Sequence, residues 1–199
     1  MGPGQDGRET TRDQSVRFQT VTPLFVVVCG LPGTGKSTLA DAIADHIRAP
    51  VLTKDRIEAS LWRDGINTGQ NSWQIAENLL TTLASEQLRR HQSVILDTVA
   101  RSMESRSSWQ MLAGEHAAQF RVIECICSDR HVHRTRIDGR HRGIPGWYEL
   151  SWEDGENVRE HYTNWSGDHL VVDGIRSVDE NVTAAFAYLD RGTGRPTAP

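Results

Sequence analysis

The chain has 199 residues, of which 37% are hydrophobic and 24% charged, a composition that excludes collagen-like sequence and disorder throughout. Its longest apolar runs fall far short of the ~20 residues that cross a bilayer. Residues 1–20 contain no cationic stretch followed by an apolar segment, so we expect a cytoplasmic location and no membrane partner. The formal net charge of −4 provides no positive field for phosphodiester backbones, which disfavours a nucleic-acid partner.

Both chain ends are polar, and we expect disordered tails at residues 1–22 and 191–199 around one domain at 23–190. Within the domain, short β-branched runs alternate with longer segments of helical period, as in βαβ units. The predicted strands are 24–29, 50–53, 93–97, 119–127 and 168–173. The predicted helices are 36–48, 55–62, 71–91, 103–118, 129–139, 151–162 and 177–189. The fold class is therefore α/β, a three-layer sandwich with a five-stranded parallel sheet.

One segment, GLPGTGKST, follows the first predicted strand and matches G-x-x-x-x-G-K-[ST] at every fixed position. Glycines let backbone N–H groups converge on phosphates at a helix N-terminus whose dipole favours anions. Lys36 is placed to reach the β- and γ-phosphates, and the Ser37 hydroxyl to complete a magnesium coordination sphere. The segment predicts a nucleotide site with these contacts: Gly30, Leu31, Pro32, Gly33, Thr34, Gly35, Lys36, Ser37 and Thr38.

Four segments in this order, 28–38, 52–55, 94–98 and 136–140, resemble the small P-loop kinases. That group includes the 5′-hydroxyl polynucleotide kinase domain, chloramphenicol phosphotransferase and the zeta-toxin group. The resemblance spans most of residues 24–190 and implies the P-loop NTPase fold, here with a small helical lid at about 134–150. It also implies ATP and Mg²⁺ as the nucleotide and the metal.

Two carboxylates follow predicted strands. The resemblance implies that Asp55 contacts the acceptor hydroxyl, where a carboxylate can accept the proton and orient the oxygen for attack. The alternative is that Asp55 caps the following helix. Asp97 ends an apolar strand, the Walker B position, and is expected to hold magnesium. The alternative role of Asp97 is that its carboxylate bonds to Ser37 or to a neighbouring loop.

Arginines crowd the segment before residue 143. Arg136 and Arg140 are four residues apart, which predicts one helical face, and the spacing is similar to that of the lid arginines of polynucleotide kinase. A mobile lid would close these guanidinium groups over the transferring phosphoryl group. A basic helix in solvent is the alternative. The predicted catalytic residues are therefore Lys36, Asp55, Arg136 and Arg140.

Three features of the sequence bear on the chemical nature of the acceptor. Glu58 stands where the polynucleotide kinases show an arginine, and a carboxylate there disfavours a substrate phosphate. Arg101 follows the third strand, where it either contacts the acceptor or a phosphate, or lies in solvent. The predicted acceptor contacts are Asp55, Glu58 and Arg101. Aromatic residues after the lid arginines either hold the acceptor or adenine, or pack the lid on the core; they are Trp147, Tyr148, Trp152, Tyr162 and Trp165.

Cysteines and histidines suggest no further chemistry. Cys29, Cys125 and Cys127 fall in apolar strand-like runs, where reduced buried thiols are expected. His131 and His133 lie two apart on a predicted helix and point to different sides, so we propose no zinc site.

These observations favour an ATP-dependent kinase that phosphorylates a hydroxyl of a small organic molecule, such as an antibiotic or another natural product. A polynucleotide or nucleoside 5′-hydroxyl kinase and a nucleotide-dependent regulatory ATPase are the alternatives. The sequence leaves open the identity of the acceptor, the preference for adenine or guanine nucleotides, and the oligomeric state.

Overall fold

Five parallel strands form one sheet: β1 (Leu24–Cys29), β2 (Val51–Thr53), β3 (Val94–Asp97), β4 (Gln119–Ile126) and β5 (Leu170–Asp173). Their order across the sheet is β2-β3-β1-β4-β5. The computed structural model describes residues 22–67, 70–163 and 165–191. The predicted five-stranded parallel sheet is confirmed. The motif segment follows the central strand, β1, at the carboxyl edge of the sheet, where open α/β sheets bind ligands.

The helices lie between the strands along the chain: α1 (Lys36–Ile47), α2 (Lys54–Arg63), α3 (Ser72–Arg89), α4 (Met103–Glu115), α5 (Arg130–Asp138), α6 (Trp152–Glu160) and α7 (Val178–Leu189). Every residue of β1 is buried because both of its faces are covered. Leu24, Val26 and Val28 pack in a cluster with α1 and α7, whereas Phe25, Val27 and Cys29 pack with α3 and α4. These three layers match the predicted sandwich.

Strand register brings three chain segments together at the carboxyl edge of the sheet. Asp97, the last residue of β3, pairs with Val28 of β1 and with Thr53 of β2. The motif segment begins at Gly30, two residues after Val28, and Asp55 lies two residues after Thr53. Residues that are far apart in sequence therefore meet at one point.

Element boundaries differ from the predictions in two places that affect the site. Strand β4 ends at Ile126, so Cys127 lies beyond the strand and is only half-buried. Helix α5 ends at Asp138 with Gly139 as its C-cap, so residues 139–150 of the expected helical lid contain no helix. Except for Thr22 and Arg191, the predicted tails lie outside the described residues. None of the described helices is long and apolar enough to span a bilayer.

Candidate active site

The turn after β1 requires glycine at its first position. Gly30 has φ +127°, and a Cβ there would lie 2.0 Å from the carbonyl oxygen of Cys125 on β4. Gly33 has φ +80°, and a Cβ there would meet the side chain of Ile137 on α5 at 2.7 Å. Because neither position tolerates a side chain, the loop lies close to the sheet and to α5.

The backbone amides of this loop are free to bind an anion. Helix α1 begins at Lys36 with Gly35 as its N-cap, and no side chain caps it and no acidic residue lies in its first turn. Within the described residues, none of the N–H groups from 35 to 38 donates a hydrogen bond. Unpaired amides at a helix N-terminus are the arrangement that binds phosphate.

Lys36, Ser37 and Asp97 form the polar floor beside this loop. The buried Lys36 Nζ donates a hydrogen bond of 2.9 Å to the carbonyl of Leu31. Burial lowers the pKa of Lys36, and the carboxylates of Asp97 and Asp55 oppose that shift. Ser37 Oγ donates to Asp97 Oδ2 at 2.7 Å, which is the contact foreseen as the alternative role of that carboxylate.

The same contact satisfies the first requirement of a magnesium site. Ser37 Oγ and Asp97 Oδ2 are oxygen ligands, the type that Mg²⁺ prefers, and Ser37 lies in the first turn of α1, whose N–H groups are free. Burial raises the pKa of Asp97, and the ammonium group of Lys36 opposes this rise. The donor set therefore fits the metal that the motif implies.

Asp55 lies in the first turn of α2, whose N-cap is Thr53. Its carboxylate forms an ion pair with Arg142 Nη1 from the segment after α5. The side chain of Asp55 thus points across the site toward the lid, and the N-cap position considered for it as an alternative belongs to Thr53.

Arg136 and Arg140 are not related by a helical turn. Arg136 lies in the last turn of α5, and its Nη2 donates to the carbonyl of Gly174 at 2.8 Å. Arg140 lies beyond Gly139, where the helix has ended, so the prediction of one shared helical face was wrong. Burial, and then the nearby Arg142, lower the pKa of Arg140.

Two cavities meet at the end of the loop. The first, of about 320 Å³, is lined by the loop, both of these arginines, and Val172, Val178 and Asn181. The second, of about 220 Å³, lies between α2, α3 and the segment 139–150. Ser37 and Arg140 line both cavities. A ligand in the first cavity can therefore present its reacting end to a ligand in the second.

The second cavity has aromatic walls. The ring of Trp62 stacks on Trp147 at 4.7 Å and on Tyr148 at 5.2 Å, and the guanidinium of Arg101 lies 4.7 Å from the ring centre of Trp73. Of the aromatic residues predicted to hold an acceptor, Trp147 and Tyr148 line this cavity. The other three contact different groups: Trp152 lies edge-on to His133, Tyr162 bonds to Glu124, and Trp165 lies under Arg106.

Glu58 lines the second cavity but already has partners. Its carboxylate accepts hydrogen bonds from Lys54 Nζ at 2.7 Å and from Ser72 Oγ at 2.9 Å. Trp62 Nε1 in turn donates to Ser72 Oγ at 2.9 Å. The predicted acceptor contact therefore also anchors the aromatic wall to α3.

A model of the AAA domain family matches residues 25–144. The chain belongs to this family. It is 27% identical over 143 residues to Transcription factor bHLH140 of Arabidopsis thaliana, a match that covers 70% of this chain and 15% of that protein. It is 31% identical over 123 residues to an uncharacterized protein of Mycobacterium tuberculosis, covering 56% of this chain and 24% of that protein. The matched part of this chain thus spans less than a quarter of the length of each of these relatives.

Solved structures of kinases share the fold. A protein described as a kinase of Chloroflexus aurantiacus is 26% identical with a TM-score of 0.61, over 85% of this chain and all of that chain. A gluconokinase of Sinorhizobium meliloti is 20% identical with a TM-score of 0.64, over 86% of this chain and 94% of that one. An APS kinase of Mycobacterium tuberculosis, solved with AMPPNP and APS, is 17% identical with a TM-score of 0.63, over 85% and 99% of the two chains. The resemblance to the small P-loop kinases is confirmed, and the particular subgroup stays a prediction.

In this AAA domain, the P-loop is joined to α5 and α6 by a histidine for which the sequence suggested no role. The buried His133 on α5 donates from Nε2 to the carbonyl of Pro32 at 2.6 Å, since a carbonyl can only accept. Its Nδ1 is then the acceptor for Arg159 Nη2 of α6 at 3.1 Å. No sequence signal indicated this contact, because its partners are 101 and 26 residues away.

Proposed function

We propose that the chain is an ATP-dependent kinase that transfers the γ-phosphoryl group to a hydroxyl of a small organic molecule. The observation that supports this most strongly is that the two cavities share Ser37 and Arg140. The first cavity contains free phosphate-binding amides, and the second contains the carboxylate of Asp55. We call the second one the acceptor cavity.

The nucleotide half of the mechanism follows from the P-loop. Its amides bind the phosphate oxygens, and Lys36 exchanges its bond to Leu31 for the β- and γ-phosphates. Ser37 and Asp97 would hold magnesium, which when bound neutralises the charge of those phosphates. Arg140 faces both cavities and is placed to stabilise the charge on the transferring group.

The acceptor half depends on Asp55. The hydroxyl oxygen forms a bond to the γ-phosphorus, the bond from that phosphorus to the β–γ bridging oxygen breaks, and ADP leaves. The hydroxyl proton passes to the carboxylate of Asp55. Because Arg142 is paired with this carboxylate, the acceptor must displace the guanidinium before transfer.

A small acceptor is favoured over a polymer by size and charge. The acceptor cavity measures about 220 Å³, and the net charge of the chain is −4. The names of the gluconokinase and of the APS kinase complex also refer to small acceptors. The stacked rings of Trp62, Trp147 and Tyr148 could hold a base instead, which is the observation in favour of a polynucleotide or nucleoside 5′-hydroxyl kinase.

The test measures ADP release from Mg–ATP with and without a panel of alcohols, with the products identified by mass spectrometry. We expect stimulated release, a phosphorylated alcohol, and loss of both in Asp55→Asn. Stimulation by oligonucleotides alone, weakening steeply with salt, would select the 5′-kinase. Release that no acceptor stimulates would contradict a kinase and favour a regulatory ATPase.

A further inference from the structure

One carboxylate of the acceptor cavity has no partner. Glu77 lies on α3, one helical turn after Trp73, and is only 8% exposed. Within the described residues, its side chain forms no hydrogen bond and no ion pair, although its backbone carbonyl accepts a bond from Thr81. A carboxylate that lines an open cavity with no cation or donor of the protein bonded to it is available to a ligand that brings the opposite charge.

The other carboxylates of the cavity are already neutralised. Asp55 is paired with Arg142, and Glu58 is bonded to Lys54 and to Ser72. The acidic residue that matters for acceptor charge is therefore Glu77 and not Glu58.

The surroundings of Glu77 suit a cation. Trp73 lies on the same helical face, and Trp62, Trp147 and Tyr148 form the stacked wall of the same cavity. Aromatic faces combined with a carboxylate are the groups that bind an ammonium ion.

We propose that the acceptor is an alcohol that carries an ammonium group, with Glu77 binding that group beside the aromatic wall of the cavity. This specificity rests on the proposed kinase function and assigns its substrate class. The competing arrangement uses Arg101, whose guanidinium lies over Trp73 and forms no ion pair within the described residues. An acceptor with a carboxylate would select Arg101 instead.

Two matched sets of alcohols separate these possibilities. One set is phenylalaninol, 3-phenylpropan-1-ol and 2-benzyl-3-hydroxypropanoate, and the other is glucosamine, glucose and glucuronate. Within each set, the molecules differ chiefly in bearing an ammonium group, no charge or a carboxylate. Dissociation constants are measured from tryptophan fluorescence, since three tryptophans line the cavity, and by calorimetry.

In at least one set we expect the ammonium compound to bind about 10-fold more tightly than its neutral partner, as a charge-assisted hydrogen bond implies. Glu77→Gln should remove this preference and leave the affinity for the neutral compound unchanged. Arg101→Gln is the matched control and should keep the preference. If no ammonium compound binds more tightly than its neutral partner, the proposal fails, whatever the stability of the variants. A preference for the carboxylates that Arg101→Gln abolishes would also overturn it.

The kinase function is read from separate data. Phosphorylated product that forms equally well from all members of a set refutes the ammonium site alone. Preferential binding of ammonium compounds with no ATP-dependent product, even across the wider alcohol panel, refutes the kinase and leaves the site in place.

Discussion

Arg142 of the lid segment forms an ion pair with Asp55 at the start of α2. The guanidinium also lies 5.6 Å from the ring centre of Trp147, which stacks on Trp62 of the same helix. Arg63 of α2 adds a hydrogen bond of 3.0 Å to the carbonyl of Pro145. The lid segment is thus fastened to α2, and the carboxylate expected to accept a proton is held by a lid residue.

This ion pair predicts that Arg142 suppresses reaction with water. In Arg142→Gln the carboxylate of Asp55 is released, and it can then activate a water molecule in place of an acceptor. We expect the ratio of acceptor-independent ATP hydrolysis to acceptor phosphorylation to rise about tenfold, as loss of one charge-assisted contact implies. Arg134→Gln is the matched control, because Arg134 is exposed, forms an ion pair with Asp138 of its own helix and otherwise lies 6.0 Å from the ring of Trp152, away from Asp55. Equal ratios in both variants would contradict the suppressing role.

Asp55 itself should affect the rate of transfer and not the binding of nucleotide. Asp55→Asn keeps the size of the side chain but removes the proton acceptor, so we expect kcat to fall by about 10²- to 10⁴-fold. The dissociation constant for ATP should stay within about threefold, since the P-loop binds the phosphates. Asp64→Asn, at the exposed C-cap of α2, is the control. Steady-state kinetics and calorimetry measure both quantities, and a retained kcat would remove Asp55 from the mechanism.

Substitution of the two lid arginines, Arg136 and Arg140, should affect different kinetic constants. Arg140 lines both cavities, so Arg140→Ala is expected to lower kcat by about 10²-fold or more, the typical effect of losing one stabilising donor. Arg136 bonds to Gly174 at the side of the first cavity, so Arg136→Ala should mainly raise the KM for ATP. Initial rates over a matrix of ATP and acceptor concentrations distinguish the two. A fall in kcat confined to Arg136→Ala would reverse this assignment.

Local sequence patterns were sufficient for the sheet and the P-loop. A buried strand, three glycines and a lysine–serine pair are consecutive in the chain, so the loop geometry is encoded locally. The N-caps of α6 and α7 were equally local: Ser151 with Asp154 and Ser177 with Glu180 form capping boxes. Asp97 could be placed beside the loop because parallel strands end at a common edge.

The acceptor cavity could not be predicted in the same way, because α2, α3 and the lid meet only in the folded chain. The bond from Lys54 to Glu58 joins residues four apart on one helix, so helical spacing could have predicted it. The bond from Ser72 to Glu58 joins two helices, so spacing could not. Glu77 gave no signal at all, since an acidic residue on an amphipathic helix normally lies in solvent. Arg140 was assigned to a helix that Gly139 ends one residue earlier.

Thiol reactivity tests the burial of the sheet. Burial raises the pKa of Cys29 and of Cys125 to about 12, so at pH 8 only about one such thiol in 10⁴ is a thiolate. Cys127 lies beyond β4 and is half-buried, which corrects the expectation that all three cysteines are buried. In native protein we expect one rapid equivalent of reaction with a thiol-specific disulfide reagent, lost in Cys127→Ser, and three equivalents after unfolding. A second rapid equivalent would show that the sheet is less well covered than this.

The contact between His133 and the P-loop predicts a specific loss of stability in acid. Burial lowers the pKa of His133 below its ordinary value of about 6.5, although the bond to Pro32 opposes the shift. Below that pH the unfolded chain therefore binds a proton that the folded chain does not, so the free energy of unfolding falls as the pH falls, until the lower folded pKa is passed. Between pH 7.5 and 5.5, the Tm of His133→Gln should fall less than that of the unmodified chain. His131→Gln, on the exposed side of the same helix, should follow the unmodified chain. Parallel curves for all three proteins would mean that His133 is protonated as readily in the folded state as in the unfolded one.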